Sequence, residues 1–394
     1  MAEHFDVAIV GGAVMGSAVA YFLAADPDFH GSVAVIERDP GYANCTTARS
    51  WGGVRQQFST AENIEMSLFA ADFFRRAGEL LDVGGEAPVL DFREDGYLLL
   101  ASPAGLPMLQ ANVTLQRELG AQTELLLPAA LGSRFPWLSG EGIAAGAFGP
   151  ANEGWLDPNA LLHGFRRKAR ALGVSYLEDE AVGIETAKGR VEAIELRGGG
   201  RLACGTLVNA AGPRAGALAA LAGVDLPVRP RKRTTFVFDC RERLPVMPLI
   251  FDVSGIACRP EGAQFLAIVS PPEEQDRDSD GADMEPDYAP FEEVIWPTLA
   301  KRIPAFEAIK LTRAWACHYD YNAFDQNAIL GPHPEISNLL FCNGFSGHGL
   351  QQSPATGRAI AELIVHGEYR SLDLSALSYA RIPENRPLKE ANVV

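Results

Sequence analysis

The feature that most constrains this chain is a strand, a glycine turn and a helix at its N-terminus. Residues 6–10 (DVAIV) form a short apolar run that ends in Gly11 and Gly12, and residues 14–25 follow as a predicted helix of small and apolar side chains. A second buried strand is predicted over residues 33–36. This order predicts a strand, helix, strand unit in a parallel sheet with a right-handed crossover.

The turn itself, residues 11–16 (GGAVMG), has the context that a phosphate-binding turn requires. Gly11 permits the tight turn, and Gly16 allows the helix to pack closely on the strand, while the helix N-terminus offers N–H groups to phosphates. Ala13 stands where the pattern usually has its second glycine, so one methyl group narrows the approach of a pyrophosphate. The alternative is a turn that binds no ligand.

Glu37 supplies the carboxylate that this pattern expects. It ends the second strand about 20 residues after Gly16, where an acid accepts hydrogen bonds from the ribose hydroxyls of an adenine dinucleotide. A 2′-phosphate would be repelled by this acid. The N-terminal unit therefore predicts FAD or NAD and leaves the choice between them open.

Composition and charge argue against several classes of partner. The chain has 394 residues, 47% of them hydrophobic, which favours two or three domains, and its net charge of −16 argues against nucleic acid and anionic membranes. The six cysteines form no CxxC pair and no Cys/His cluster with zinc spacing, so we expect reduced thiols and no metal site. No leader peptide and no apolar run of about 20 residues is seen. We expect a soluble, cytoplasmic protein with a small-molecule partner and no membrane span.

Two stretches of the chain predict an antiparallel sheet. Residues 90–92 and 97–100 flank Asp95-Gly96 as the strands of a β-hairpin would, and residues 234–238 and 265–269 have the composition of strands.

A capped helix and an acidic segment are also predicted. Asp157 and Pro158 supply an N-cap acceptor and an N1 proline to a helix that Gly173 can end. Residues 273–287 are acidic and contain proline, which predicts a solvated surface loop.

The chain resembles the D-amino-acid oxidase and sarcosine oxidase superfamily of FAD enzymes over nearly its whole length, and three separated segments carry this resemblance. The first is the glycine turn with Glu37, and the second is 207–213 (LVNAAGP), which is similar to the strand and turn that return to the flavin site. The third, 343–354 (NGFSGHGLQQSP), is similar to the C-terminal flavin loop of sarcosine oxidases. Residues 319–327 (YDYNAFDQN), with GPHP at 331–334, look closest to the branch containing the mitochondrial FAD-dependent oxidoreductase implicated in complex I assembly.

The resemblance implies that the cofactor is FAD. Glycines of the C-terminal loop would let backbone N–H groups reach the isoalloxazine, and a helix predicted over 355–364 would point its positive end there, which favours hydride acceptance. Val182 matches a residue that lines the adenine. The residues expected to contact FAD are Gly11, Ala13, Val14, Met15, Gly16, Glu37, Arg38, Thr47, Ala48, Arg49, Gly53, Val54, Val182, Ala211, Gly212, Cys317, Gly344, Ser346, Gly347, His348, Gly349, Leu350 and Gln351.

With FAD as the cofactor, the predicted fold combines α/β and α+β classes. A discontinuous, Rossmann-like FAD-binding domain carries an inserted antiparallel-sheet substrate domain. The predicted FAD-binding segments are 1–88, 155–222 and 325–380, the substrate segments are 89–154 and 223–324, and 381–394 is a C-terminal tail.

Arg55 is the expected anchor for a substrate carboxylate. It matches the arginine that holds this group in sarcosine oxidases, and its planar fork can bind a carboxylate through two hydrogen bonds. The alternative is a surface arginine paired with an acid. Tyr319, Tyr321 and His348 are predicted to line the pocket, with purely structural roles as their alternative.

Two departures from sarcosine oxidases bear on the oxidant. Gln351 occupies the position of a second carboxylate-binding lysine, and residues 260–272 contain no lysine, although sarcosine oxidases use one there to activate oxygen. The resemblance therefore favours a dehydrogenase with an unidentified electron acceptor over a fast oxidase that uses oxygen.

Cys317 matches the cysteine that is covalently linked to the flavin in sarcosine oxidases, with an unmodified core thiol as the alternative. The implied reaction oxidises a carboxylate-bearing amine, an amino acid with a secondary or N-substituted nitrogen, by hydride transfer to flavin N5 and hydrolysis of the imine. Two rival functions stay open. One is an assembly or scaffold protein that binds FAD without turnover, and the other is an NAD-dependent dehydrogenase, against which the flavin loop argues.

Overall fold

The computed structural model describes residues 3–391, which form eighteen strands and eight α-helices within that range. The strands are β1 (Glu3–Val10), β2 (Val33–Glu37), β3 (Gly53–Val54), β4 (Tyr97–Ala101), β5 (Glu124–Leu126), β6 (Ala145–Gly149), β7 (Gly154–Trp155), β8 (Ser175–Glu178), β9 (Ala181–Ala187), β10 (Arg190–Leu196), β11 (Arg201–Asn209), β12 (Val228–Cys240), β13 (Leu249–Phe251), β14 (Ile256–Glu261), β15 (Gln264–Val269), β16 (Ile309–Asn322), β17 (Ile329–Pro332) and β18 (Leu339–Asn343). The helices are α1 (Val14–Ala25), α2 (Ala61–Leu80), α3 (Leu106–Glu118), α4 (Pro128–Arg134), α5 (Pro158–Ala171), α6 (Ala215–Ala220), α7 (Trp296–Arg302) and α8 (Gly349–His366).

The first sheet is parallel at its centre. Its order is β17-β18-β11-β1-β2-β8, with β17 antiparallel at one edge and the β9-β10 hairpin attached to β11. The strands at the centre are continuous apolar runs because both of their faces are covered. The predicted strand, helix, strand unit is confirmed as β1, α1 and β2.

Helix α1 packs between neighbouring helices through small residues. A Cβ built at Gly357 of α8 would lie 2.8 Å from Ala18 of α1, so the two helices approach closely only because one position is glycine. On its other side α1 contacts α5, where Tyr21 packs against Phe165. These contacts with α8 and α5 fix the position of α1, whose N-terminus carries the glycine turn.

The predicted helix after Asp157 is confirmed as α5. The Asp157 carboxylate accepts hydrogen bonds from the backbone N–H groups of Asn159 and Ala160, Pro158 occupies the first turn, and Gly173 follows the helix with a φ of +98°. Asp157 is thus the N-cap, Pro158 begins the first turn, and Gly173 supplies the positive φ that ends the helix.

The second sheet is largely antiparallel, in the order β16-β12-β15-β14-β13-β4-β6-β5. The strands predicted at 234–238 and 265–269 lie within β12 and β15. The hairpin predicted around Asp95-Gly96 is wrong: residues 90–92 are not a strand, and β4 pairs instead with β6 and, in parallel, with β13. Asp91 has a φ of +44°, which interrupts an extended chain at that point.

The predicted fold class is therefore confirmed, with a parallel sheet and an antiparallel sheet built from alternating parts of the chain. The domain limits given above stay predictions, and residues 392–394 of the predicted tail lie outside the described residues. Within residues 3–391, no helix is both long and apolar enough to cross a bilayer.

Candidate active site

The N-terminal glycine turn is packed against the chain that follows β11. Gly11 has a φ of +100°, and a Cβ built there would lie 2.3 Å from the carbonyl oxygen of Ala210. A Cβ at Gly16 would lie 1.8 Å from the carbonyl oxygen of Gly11, so both positions require glycine. Ala13, the N-cap of α1, makes no side-chain cap hydrogen bond. The N–H groups of the first turn are therefore available to an anion.

Glu37 is oriented by two backbone N–H groups. Gly12 N–H donates to its Oε2 and Asp39 N–H donates to its Oε1, both at 2.8 Å. The carboxylate lines a cavity together with Arg38 and Val182. Its remaining lone pairs can accept hydrogen bonds from the hydroxyls of a ribose.

That cavity has a volume of about 420 Å³ and extends from Glu37 and Val182 to Phe345 and Leu350. The predicted site residues that line it are Gly11, Ala13, Val14, Met15, Glu37, Arg38, Thr47, Val182, Ala211, Gly212, Tyr319, Gly347, Gly349 and Leu350. The predicted residues outside its lining are Gly16, Ala48, Arg49, Gly53, Val54, Arg55, Cys317, Tyr321, Gly344, Ser346, His348 and Gln351.

Several lining residues were missed by sequence reasoning. They include Thr46, Ser50, Pro213, Arg214, His318 and Asp320. Asp320 carried a usable signal, since an acid in an otherwise aromatic strand is rarely buried without a purpose.

Asp320 shapes the predicted flavin loop. Its Oδ2 accepts hydrogen bonds from the backbone N–H groups of Gly344, at 2.7 Å, and Phe345, at 3.0 Å, and Ser346 N–H donates to the Asp320 carbonyl. Gly344, Ser346 and Gly347 all have positive φ values of +77°, +51° and +99°. Burial raises the pKa of Asp320 to about 6, although its hydrogen bonds from backbone N–H groups act in the opposite direction.

The helix after this loop begins earlier than predicted. Residues 349–354, expected to belong to the loop, form the first turns of α8, and Pro354 lies inside the helix. Proline cannot donate to the carbonyl of Leu350, and the Ser353 hydroxyl donates to that oxygen at 2.8 Å instead. This substitute donor allows the helix to continue, so its N-terminus, and not a following segment, lies at the cavity.

Arg55 is held in place by residues from two parts of the chain, 57–58 and 348–351. Its backbone N–H donates to Gln351 Oε1 at 2.6 Å, and its Nη1 donates to the carbonyl oxygen of Gln57 at 2.9 Å. Its Nη2 lies 3.0 Å from His348 Nε2, and the guanidinium lies 4.3 Å from the centre of the Phe58 ring. No carboxylate of residues 3–391 lies within 4.0 Å of it as an ion-pair partner. The alternative of a surface arginine paired with an acid does not describe this geometry.

His348 is neutral in this site. Burial and the charge of Arg55 lower the pKa of its imidazole to about 3. A guanidinium can only donate, so Nε2 of His348 must accept and the ring proton lies on Nδ1. The imidazole also packs edge-on against Phe58, with ring centres 5.1 Å apart. His348 thus orients Arg55 without adding charge.

Tyr319 and Tyr321 are each covered by an arginine of β12. Arg233 donates a hydrogen bond to the Tyr319 hydroxyl and lies 4.7 Å from its ring centre, and Arg231 lies 4.3 Å from the ring centre of Tyr321. Tyr319 lines the cavity, whereas Tyr321 does not. Burial raises the pKa of both hydroxyls, so both are protonated at neutral pH.

The acidic segment 273–287 is only partly the solvated loop that its charges predict. Asp276 receives two hydrogen bonds of 2.7 Å from Arg233, and both side chains are largely buried. Ser279 Oγ lies 2.8 Å from His318 Nε2, and Gly281 lines the cavity. The acids find partners because three consecutive basic residues, 231–233, meet them along β12.

Arg49 and Cys317 lie next to the cavity without lining it. Arg49 donates to the carbonyl oxygens of Ala43 and Ala316, both at 3.0 Å, which ties its loop to β16. Burial raises the pKa of the Cys317 thiol to about 11, so the thiol stays protonated and weakly reactive at neutral pH. The covalent link between Cys317 and the flavin stays a prediction. Neither the position of Cys317 outside the cavity lining nor its raised pKa supports it.

The donor set of the cavity fits an extended adenine dinucleotide. Two helix N-termini, those of α1 and α8, meet the cavity, and Glu37 lies on its wall near Val182. The glycine turn would hold the pyrophosphate, and the loop at Gly347 would hold the ring system. The fold and this cavity fit a dinucleotide, and a second polar site lies around Arg55.

Comparison with known proteins identifies the family. The chain matches the family described as FAD dependent oxidoreductase over residues 6–363. It is 42% identical over 427 residues to FAD-dependent oxidoreductase domain-containing protein 1 of Xenopus laevis, covering 100% of this chain and 85% of that protein. It is 24% identical to monomeric sarcosine oxidase from Bacillus sp. (strain NS-129), covering 97% of this chain and 98% of that enzyme.

A crystal structure of L-proline dehydrogenase from P. horikoshii has the same fold, with a TM-score of 0.85, 24% identity and coverage of 98% of this chain and 100% of that one. The chain belongs to the FAD-dependent oxidoreductase family. The predicted resemblance and the predicted cofactor are confirmed.

Proposed function

We propose that this enzyme oxidises an amino acid with a secondary or N-substituted amine, that Arg55 holds the substrate carboxylate, and that the electrons pass to an acceptor other than oxygen. The observation that carries the proposal is the setting of Arg55. Its guanidinium is fixed by Gln57 and His348, yet it has no direct carboxylate partner among residues 3–391.

A partly buried guanidinium without a direct counter-ion favours an anionic ligand. A carboxylate can accept two parallel hydrogen bonds from such a fork, and these are stronger than bonds between neutral groups. Phe58 covers one face of the Arg55 guanidinium. The N–H groups of the guanidinium lie in its plane, away from that face. The ligand is therefore expected to be anchored through its carboxylate end.

Unpaired amide atoms beside Arg55 also support a ligand. Both side-chain amide atoms of Gln56, and Oε1 of Gln57, are buried without a hydrogen-bond partner among residues 3–391. A buried polar atom without a partner costs about 1–3 kcal/mol. Polar groups on a substrate, or water that accompanies it, would remove part of that cost.

The charges around Arg55 and the substrates named for two relatives both favour an N-substituted amine. Neutral His348 and cationic Arg55 offer no counter-charge to an ammonium group, so the site favours the neutral amine that oxidation requires. Sarcosine oxidase and 4-methylaminobutanoate oxidase, both 24% identical to this chain over nearly its full length, are named for substrates with an N-methyl group.

The chain itself contributes binding and orientation. FAD, when bound, supplies the hydride acceptor. Arg55 would fix one end of the substrate, and Tyr319 would form part of the cavity wall. Because the neutral amine needs no further activation, we assign no residue as a dedicated acid or base.

The site has no lysine that could activate oxygen among the cavity-lining residues of 3–391. Gln351 is neutral and donates no charge to the site. Sarcosine oxidases, which this chain resembles, use a lysine to activate oxygen. We therefore expect slow reoxidation by oxygen.

An anaerobic screen of the FAD-loaded protein tests the proposal. We expect sarcosine, other N-methylamino acids or proline to bleach the flavin absorbance faster than glycine or alanine, and lactate to have no effect. On admission of oxygen the colour should return slowly, whereas an artificial acceptor should restore it at once. Bleaching by primary amino acids alone contradicts the amine class, rapid reoxidation by oxygen contradicts the acceptor, and no bleaching at all contradicts the reaction.

A further inference from the structure

Glu153 is a buried acid that the proposed reaction does not use. Its side chain is 1% exposed and lies between two residues with unusual backbone angles, Asn152 with a φ of +62° and Gly154 with a φ of +146°. A Cβ at Gly154 would lie 1.9 Å from the carbonyl oxygen of Arg93, so the chain can follow this path only with glycine there. The backbone is thus arranged to place a carboxylate in the interior.

The carboxylate contacts the residues that follow Arg55. Gln56 N–H donates to Glu153 Oε1 and Gln57 Nε2 donates to Glu153 Oε2, both at 2.7 Å. The carbonyl oxygen of Gln57 in turn accepts the hydrogen bond from Arg55 Nη1. Glu153 is therefore linked to the Arg55 guanidinium through a single residue, Gln57, and it fixes the segment 56–57 that follows Arg55.

We propose that Glu153 is a positioning residue for Arg55 and that binding of a substrate carboxylate at Arg55 is coupled to uptake of one proton by Glu153. This inference rests on the proposed role of Arg55 as the carboxylate anchor. It adds a residue 98 positions away in the chain, and a dependence on pH, to that site.

The charges around Glu153 give the direction of the coupling. Arg55 is the cation that faces it, His348 is neutral, and the hydroxyl of Tyr97, whose pKa burial raises to about 12, is also neutral. Burial raises the pKa of Glu153 to about 7, although Arg55 and the hydrogen bonds from Gln56 and Gln57 act in the opposite direction. The carboxyl therefore changes its charge in the physiological range.

An incoming carboxylate changes this balance. With Glu153 ionised, its charge and that of Arg55 cancel, and a bound anion would leave the buried site with one net negative charge. Protonation of Glu153 restores neutrality. The bound anion thus raises the pKa of Glu153, and by linkage the affinity for the anion falls as pH rises through about 7.

The test uses the FAD-loaded protein and methoxyacetate, a carboxylate that lacks an amine and stays ionised from pH 6 to 8. Its dissociation constant is measured from the change in flavin absorbance at several pH values. We expect the constant to rise by up to about tenfold per pH unit above pH 7. In a weakly buffered solution at pH 7.5, binding should take up a measurable fraction of a proton per site.

Variants separate this inference from the proposed function. Glu153→Gln keeps the size of the side chain and should give a dissociation constant that is nearly independent of pH, while the exposed control Glu86→Gln should behave as wild type. If Arg55→Met binds methoxyacetate as tightly as wild type does, the carboxylate anchor itself is wrong. If binding needs Arg55 but wild type takes up no proton, the role of Glu153 is overturned. That second measurement decides the matter even if Glu153→Gln fails to fold.

Discussion

Oδ2 of Asp320 lies 2.7 Å from the backbone nitrogen of Gly344 and accepts its hydrogen. The same oxygen accepts the N–H of Phe345, so a single buried atom of β16 fixes the first two peptide groups after β18. The shape of the predicted flavin loop therefore depends on a side chain outside the glycine motif. A carboxylate accepts such bonds more strongly than an amide does.

We expect Asp320→Asn to weaken FAD binding by roughly tenfold or more, because an amide loses the charge that strengthens both hydrogen bonds. The dissociation constant can be measured from quenching of FAD fluorescence on addition of apo-protein. Asp373→Asn is a matched control, since Asp373 is exposed and accepts only a local hydrogen bond from Ser375. Equal affinity in wild type and Asp320→Asn would show that the loop keeps its shape without the carboxylate.

The same acid predicts a pH dependence of stability. Burial raises the pKa of Asp320 to about 6 from an ordinary value of 3.8, so between these values the folded apo-protein holds a proton that the unfolded chain has lost. This contribution is present at low pH and is lost as pH rises through about 6. The free energy of unfolding of wild type relative to Asp320→Asn should therefore be larger at pH 5 than at pH 7.5. Urea unfolding at the two pH values measures this, and an unchanged difference would contradict the assignment.

Gly16→Ala should abolish FAD binding and lower the free energy of unfolding by about 2 kcal/mol or more, since the new methyl group would meet the Gly11 carbonyl. Gly132→Ala provides a contrast within another helix. No atom lies within 4 Å of the added Cβ there, so this change should be neutral or stabilise the protein by up to about 1 kcal/mol. Thermal unfolding and flavin content are the measurements. Retention of FAD by Gly16→Ala would show that the turn can move.

Arg55→Lys keeps the charge but loses the planar fork, and one ammonium group cannot replace the contacts to Gln57 and His348 at once. We expect KM for carboxylate substrates to rise roughly tenfold or more, with a smaller change in kcat. Oxidation of an amine without a carboxyl group should change little. The exposed Arg75→Lys is the control. A uniform loss with all amines would point to a folding defect instead of a lost anchor.

Glu390 gives the predicted C-terminal tail a role that its sequence did not indicate. Its carboxylate accepts hydrogen bonds from the N–H and hydroxyl of Ser59, both at 2.6 Å, from the hydroxyl of Thr60, and from Asn63 Nδ2 at 2.6 Å. These groups surround the N-terminus of α2, directly after the segment that carries Arg55. The tail is therefore hydrogen-bonded to the start of this helix from a distant part of the chain.

Removing these hydrogen bonds with Glu390→Ala should lower the free energy of unfolding by about 1.5–3 kcal/mol, the range found for hydrogen bonds to a charged group. Glu384→Ala is the control, since Glu384 is exposed and pairs only with nearby Arg386. Chemical denaturation of both variants measures the difference. Equal stability would mean that water replaces Glu390 at the helix end.

The parts of the fold that sequence predicted are those determined by local patterns. Gly16 is required by a contact with the Gly11 carbonyl within the same strand, turn and helix, and Asp157 caps the helix that begins beside it. The hairpin at Asp95-Gly96 failed because β4 finds its partners far along the chain, in β6 and β13. A local turn pattern contains no information about such partners.

The candidate site shows the same division. The resemblance to sarcosine oxidases pointed to Arg55, but its backbone contact with Gln351 joins residues 296 positions apart, and Glu153 carried no motif. The start of α8 was placed too late because glycine and Pro354 normally signal a loop, and nothing in the sequence alone shows that Ser353 replaces the missing donor. Roles that depend on three-dimensional neighbours were thus found only in the structure.

The strand order of the first sheet also has a consequence for biosynthesis. Its central strand β1 is made first, but its neighbour β11 follows about two hundred residues later and β18 later still. During translation, the glycine turn leaves the ribosome long before the chain segments that complete the cavity. The cavity is therefore complete only after residues 345–350 have emerged, and until then the edges of β1 and β2 are open to non-native pairing.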